Sequence, residues 1–251
     1  MPVQDFYDQL TPFYHLIYPD WEASLKRQAQ ILNDIITEFW GDRVSTVLDV
    51  ACGIGTQALG LAQLGYQVTA SDLSVQEVER AKGEASQRQL KLEFSVADMR
   101  TAFSHHQRQF DLVIACDNAI PHLLTDTDIL NAFEQFYLCT KPGGGGLISV
   151  RDYEQEERRG VQVKPYGLRQ AGSRRYLLFQ VWEFHDEIYD LAMYFVEDRG
   201  TSECVTHVMR SQYYAVGIDK LMTLLAQAGF EQVQRVDDRF FQPVIIGQRI
   251  G

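Results

Sequence analysis

The sequence predicts an α/β fold: doubly wound and mostly parallel, with an antiparallel strand insert and a helical N-terminal cap. Three observations predict it. Between residues 44 and 151, short apolar, β-branched runs alternate with helix-forming segments, the pattern of a parallel sheet covered on both faces. The run Val47-Leu48-Asp49-Val50-Ala51-Cys52-Gly53-Ile54-Gly55-Thr56 stops at an acid and places two glycines just before a helical segment. It reads as strand, tight turn, helix. After Arg151 the alternation gives way to strand-like runs separated by turn residues, an antiparallel meander.

The elements follow in order. Residues 1–43 form the cap. They are rich in aromatics (Phe6, Tyr7, Phe13, Tyr14, Tyr18, Trp21) and continue into an amphipathic helix over 22–39, with Leu25, Ile31, Leu32, Ile35, Ile36 and Phe39 at helical spacing. The core is expected over 44–151 and 214–251. Its strands fall at 44–50, 67–71, 91–96, 110–116 and 146–151, and its helices at 56–64, 75–89 and 126–139. Lys141-Pro142-Gly143-Gly144-Gly145-Gly146 ends a helix and launches the fifth strand. The insert, 152–213, begins as a polar stretch over 152–173 and continues as strands at 176–184, 188–196 and 202–213. The core then resumes with a helix at 218–228 and two closing strands at 231–236 and 241–248, seven strands in all.

Composition narrows the function. The chain has 251 residues, 45% of them apolar, enough for one large domain with an insert. A net charge of −11 argues against nucleic acid as the main partner. No apolar run reaches membrane-spanning length, and Met1-Pro2-Val3-Gln4-Asp5 has neither the basic flank nor the apolar core of a signal segment. Cys52, Cys116, Cys139 and Cys204 lie far apart with no Cys-x-x-Cys pair, so neither structural zinc nor a disulfide framework is expected. A reduced cytoplasmic setting fits. The acidic surface and the insert permit a homo-oligomer without requiring one.

The glycine turn points to a nucleoside-containing cofactor lying across the strand ends, with a helix N-terminus behind it. Asp72 ends the second strand, where a carboxylate can accept two ribose hydroxyls; it can equally cap the next helix. Gly53-Ile54-Gly55-Thr56-Gln57-Ala58 also fits the fingerprint of dinucleotide enzymes, which leaves a nicotinamide-dependent dehydrogenase as an alternative, though no hydride-transfer site is recognisable. Three features favour S-adenosylmethionine. Asp49 can reach a cofactor amino group from the strand end. Asp98, with Met99 beside it, follows the third strand and suits adenine. A Lys-Pro-Gly-Gly turn precedes the fifth strand, and a late hairpin closes the sheet.

Leu48-Asp49-Val50-Ala51-Cys52-Gly53-x-Gly55 resembles motif I of class I S-adenosylmethionine-dependent methyltransferases. Within that superfamily the chain is similar to glycine/sarcosine N-methyltransferases. Asn118-Ala119-Ile120-Pro121-His122-Leu123 resembles their stretch after the fourth strand, Arg151-Asp152-Tyr153 the one after the fifth, and Tyr14-His15-Leu16-Ile17-Tyr18 their aromatic N-terminal segment. The resemblance implies a seven-stranded Rossmann-like sheet, S-adenosylmethionine as cofactor with S-adenosylhomocysteine as product, and in-line methyl transfer to the nitrogen of a small amine or amino acid, with another small-molecule nitrogen or oxygen acceptor as the alternative. It implies cofactor contacts from Asp49, Ala51, Gly53, Gly55, Asp72, Leu73, Asp98, Met99 and Asp117. Arg27, on the following helix, is a candidate for the cofactor carboxylate. Acceptor-side residues would be Asn118, Arg151 (toward a carboxylate), Tyr18 as a lid with Tyr14 and Trp21 behind it, and His122, as a base or as a packing histidine. No metal site is expected.

Overall fold

The computed structural model describes residues 2–251; Met1, the first residue of the expected cap, lies outside them. The cap holds α1 (Val3–Leu10) and α2 (Trp21–Trp40). Asp20 caps α2 by accepting from the Ala23 amide at 3.0 Å. Leu25, Leu32, Ile35 and Ile36 are fully buried against the core.

The core alternates β1 (Thr46–Asp49), α3 (Thr56–Gln63), β2 (Gln67–Asp72), α4 (Val75–Gln87) and β3 (Glu93–Val96). It continues through α5 (Ala102–His106), β4 (Phe110–Ala115), α6 (Asp126–Cys139) and β5 (Thr140–Ser149). The insert holds β6 (Val161–Ala171), β7 (Arg174–His185), β8 (Ile188–Asp198) and β9 (Cys204–Tyr214). The chain closes with α7 (Ile218–Gln227), β10 (Glu231–Val236) and β11 (Val244–Gln248). The main sheet has seven strands in the order β10-β11-β5-β4-β1-β2-β3. β1 to β5 pair in parallel, and β11 runs antiparallel between β5 and β10. The strand order reverses between β1 and β4, and the crevice beyond their carboxyl ends is where such sheets bind ligands.

Two expectations need correction. The fifth strand starts at Thr140, not at Gly146: the glycine run lies inside the sheet. Trp40 and Phe230 pack over it, and a Cβ on Gly145 would sit 2.3 Å from Trp40 Cζ2. The glycines make room for rings. The polar stretch 152–173 also contains a strand, so the insert is a four-stranded sheet, β6-β7-β8-β9. β6 escapes a sequence reading because it is an edge strand. Pro165 and Gly167 bracket a register shift, and its outward Val161, Val163 and Leu168 are exposed. The inner face of the insert (Leu178, Trp182, Tyr189, Met193, Phe195) shares one core cluster with Phe6 and Leu10 of α1 and with Ile148 and Val150 of the main sheet. That packing lays α1 between the insert and the strand ends.

Candidate active site

Two adjoining cavities open at the carboxyl ends of β1, β2 and β4. The larger, about 420 Å³, is lined by Ala51, Gly53, Asp72, Leu73, Asp98, Met99, Asp117 and His122, with Tyr7 and Tyr14 from the cap. That volume lies within the roughly 300–1,000 Å³ of small-molecule sites. The smaller, about 70 Å³, is lined by Asn118, Arg151, Tyr166, Trp182, Tyr189 and Tyr213, among others. Tyr7, Tyr14 and Asp117 line both and mark the junction.

The glycine turn works by backbone geometry. Gly53 sits at φ +52° and Gly55 at φ +94°, where a Cβ is disfavoured. A Cβ on Gly53 would lie 3.3 Å from Glu77 Oε2 and 3.8 Å from the Tyr14 hydroxyl, on the cavity wall. Gly55 is the N-cap of α3 and packs on Leu59 without lining the cavity.

The acids divide the work. Asp49 is 1% exposed; its Oδ1 accepts from the Ala51 amide at 3.3 Å, and its Oδ2 is buried with no partner. Burial, above all, raises its pKa to about 7; the Ala51 hydrogen bond opposes and the nearby Asp72 adds to the rise. Asp72 accepts from the Gly53 amide at 2.8 Å through Oδ2 and from the Ser74 amide at 2.9 Å through Oδ1. It ties down the glycine turn and the turn into α4 while facing the cavity, but it is not the cap of that helix: Ser74 is, its hydroxyl accepting from the Glu77 amide at 3.1 Å. Asp98 is paired with Arg100 (Nη2 to Oδ2, 2.7 Å) on the cavity rim.

Glu77, which the sequence reading passed over, also faces the larger cavity. It is 1% exposed, its Oε1 has no partner, and burial raises its pKa well above the usual range. Its sequence signal was helix phase: it lies five residues after Asp72, in the first turn of α4 on the buried side.

On the other side, Asp117 and Asn118 follow β4 with consecutive left-handed backbones, φ +58° and +66°. For residues other than glycine this costs about 1–2 kcal/mol each, least for Asn and Asp. Asn118 is held fast: Oδ1 accepts from the Arg151 amide at 3.0 Å and Nδ2 donates to the Tyr153 hydroxyl at 2.8 Å. Arg151 places its guanidinium 4.8 Å over the Trp182 ring and donates to Glu156 Oε1 at 3.2 Å. Its Nε is buried without a partner. The neighbouring Asp152 pairs with Arg235 instead.

Three expected roles change. Tyr18 lines neither cavity; its hydroxyl donates to Asp117 Oδ2 at 2.7 Å. Tyr14 takes the place over the junction, and Trp21 is tied to Thr56 through Nε1 at 2.9 Å. Arg27 is exposed and donates to Ser24 on its own helix. The buried phase of α2 runs through Leu25, Gln28, Ala29 and Leu32, which turns residue 27 away from the cofactor side. His122 is a poor base, because burial lowers its pKa to about 3. Its neutral ring lies 4.0 Å from Tyr213, and its Nε2 and the Tyr7 hydroxyl share a 2.7 Å hydrogen bond. It bolts α1 to the segment after β4. Among the described residues, no group of three His, Cys, Asp or Glu side chains is placed to hold a metal ion, and no helix is long and apolar enough to cross a membrane.

Residues 47–144 match a family model described as a methyltransferase domain. A glycine/sarcosine N-methyltransferase of Parasynechococcus marenigrum (strain WH8102) is 30% identical over 145 residues, covering 58% of this chain and 50% of that protein. The chain spans about half the length of the curated relatives it matches. In fold it resembles the CcbJ methyltransferase of Streptomyces caelestis (TM-score 0.79, 16% identity, 100% of each chain). It also resembles CalS10, an amino pentose methyltransferase of Micromonospora echinaspora solved with S-adenosylmethionine bound (TM-score 0.78, 18% identity, 90% of this chain and 92% of that one). The residues present fit that cofactor. The Gly53 cradle is suited to a close backbone approach, Asp72 and Glu77 to ribose hydroxyls, and Met99 to an apolar ring face; Asp49, whose orphaned Oδ2 is suited to an ammonium, does not itself line the cavity but directly precedes its lining residues Val50 and Ala51. Residues 47–144 thus match a methyltransferase domain, and the chain around them has the fold of S-adenosylmethionine-dependent methyltransferases.

Proposed function

We propose that the protein transfers a methyl group to the nitrogen of a small amine that bears a carboxylate, of the glycine or sarcosine kind. The observation that carries this reading is Arg151. A half-buried guanidinium that meets Glu156 through Nη1 and keeps a buried, unpartnered Nε, in a chamber of about 70 Å³ beside the cofactor cavity, suits a compact anion. S-adenosylmethionine supplies the methyl on a sulfonium that is already a good leaving group. The chain's own work is alignment and exclusion of water, for which positioning arguments allow roughly 7–11 kcal/mol. The glycine/sarcosine relative supports the acceptor class; an amino sugar, the kind of acceptor named for CalS10, would need a wider chamber.

The test is a turnover screen with labelled cofactor across amino acids, neutral amines and phenols, repeated with Arg151→Ala. Loss of a charge-assisted contact should cut turnover of acidic acceptors by about thirtyfold and spare neutral ones. An equal loss for both would contradict the role. Titration with S-adenosylhomocysteine and with NAD separates this reading from a dehydrogenase, which would bind NAD.

The cofactor side carries its own expectation. Glu77→Gln keeps the shape of the side chain and removes its ability to ionise. Affinity for S-adenosylhomocysteine should fall about tenfold without lowering the melting temperature of the ligand-free protein, because the buried Oε1 lacks a partner there. Unchanged affinity by calorimetry would remove Glu77 from the ribose site.

A further inference from the structure

Arg151 accounts for the carboxylate end of such an acceptor and leaves its nitrogen unassigned. The nitrogen must lie at the junction of the two cavities, since the methyl crosses there. Of the three residues lining both cavities, Tyr7 and Tyr14 are phenols and Asp117 is the carboxylate. Its Oδ2 takes the Tyr18 hydroxyl at 2.7 Å, and no donor among the described residues reaches Oδ1. The left-handed backbone at 117 and 118 holds the side chain at this spot against its conformational preference. Tyr7, Tyr14 and Tyr18 of the cap, Arg151 after β5, Tyr166 of β6 and Tyr213 of β9 are the titratable groups facing it. Among these the arginine alone is charged at neutral pH.

Resting on the reading of the acceptor as a carboxylate-bearing amine, we infer that Asp117 docks the acceptor's ammonium and takes its proton. Arg151 and Asp117 then grip opposite ends of a zwitterion. The carboxylate accepts one N–H proton. The freed nitrogen lone pair forms the N–C bond as the S–C bond breaks, and that electron pair stays on sulfur. Asp117 then releases the proton to solvent. Burial raises its pKa, while Tyr18 and Arg151 pull it down. The specificity determinant is thus an acid after β4, a residue first read as a cofactor contact.

The experiment uses sarcosine and methoxyacetate, which replaces the nitrogen of sarcosine by an ether oxygen and keeps the carboxylate. Both are titrated into the protein saturated with S-adenosylhomocysteine. Wild type should bind sarcosine at least about tenfold tighter than methoxyacetate. Asp117→Asn, which tolerates the same backbone and can still accept from Tyr18, should bind the two alike. Its methoxyacetate affinity should match wild type, and its sarcosine turnover should recover as pH rises and free amine becomes available. Should the Asn variant fail to bind S-adenosylhomocysteine, Asp117→Gly, which relieves the backbone, takes its place with the same expected loss of preference. If wild type binds both probes equally, or a variant keeps the preference, Asp117 is not the ammonium site although Arg151 still holds the carboxylate. If the wild-type complex binds neither probe, the carboxylate-amine reading itself fails, and the assignment with it.

Discussion

Asp49→Asn should make the ligand-free protein more stable than wild type at pH 8 while weakening its hold on the cofactor. The Asp49 carboxyl ionises near 3.8 in the unfolded chain and at about 7 in the fold, because burial disfavours the charge. Between those values the folded state keeps a proton that the unfolded state has lost. Stability therefore falls as pH rises through this window, by on the order of 4 kcal/mol in full. Asparagine has no such charge to bury, so the gap between variant and wild type should open from about pH 4 to about pH 7 and then level off. The comparison must be made between variants, because other groups titrate in the same range. His106 and His122 are held neutral in the fold, with pKa values lowered to about 4 and about 3, and they destabilise the protein as pH falls below 6.5. S-adenosylhomocysteine reverses the sign at Asp49. Its ammonium favours the carboxylate, so ligand-induced stabilisation of wild type should be larger at pH 8 than at pH 5, and the variant should lose that difference. Thermal melts of both proteins, with and without ligand at the two pH values, decide it. Parallel curves would mean that Asp49 Oδ2 does not meet the ammonium.

Gly145→Ala should lower the melting temperature by about 6–12 °C, corresponding to about 3 kcal/mol in a chain of this size. The added methyl would stand 2.3 Å from Trp40 Cζ2 and 2.6 Å from the Gly247 carbonyl oxygen. Trp40 is 1% exposed and anchors the end of α2, and Gly247 belongs to β11, paired to β5 on the other side. Neither has room to withdraw. Trp40→Phe in the same chain should relieve only the ring contact, so the double variant remains less stable than Trp40→Phe alone. If Gly145→Ala melts like wild type, the close stacking of Trp40 on β5 is wrong.

The strand-end geometry was legible because it is local in sequence. Asp49, Gly53 and Asp72 lie at strand ends flanked by a turn and a helix, and spacing carries that placement. The acceptor side is assembled from distant segments. Tyr7 and Tyr14 reach the junction only because the inner face of the insert shares a core with α1, and no periodicity in residues 3–18 says which aromatic points inward. Tyr18 and Tyr14 therefore exchanged roles. Arg27 was misplaced by one helical phase. Glu77 was hidden by its residue type, since a carboxylate on the buried face of an amphipathic helix reads as surface. β6 was hidden because an edge strand with a proline and a kink loses the alternation that marks a strand.

The eight residues of α1 are held by Asp8, which accepts from the Ser74 hydroxyl at 2.6 Å, by the bond between Tyr7 and His122, and by Phe6 and Leu10 in the core. A helix this short does not persist by itself in water. Its winding is borrowed from the surface beneath it. Lifting it off the crevice would therefore also unwind it, so any opening of the cavity at α1 would be coupled to a small local melting.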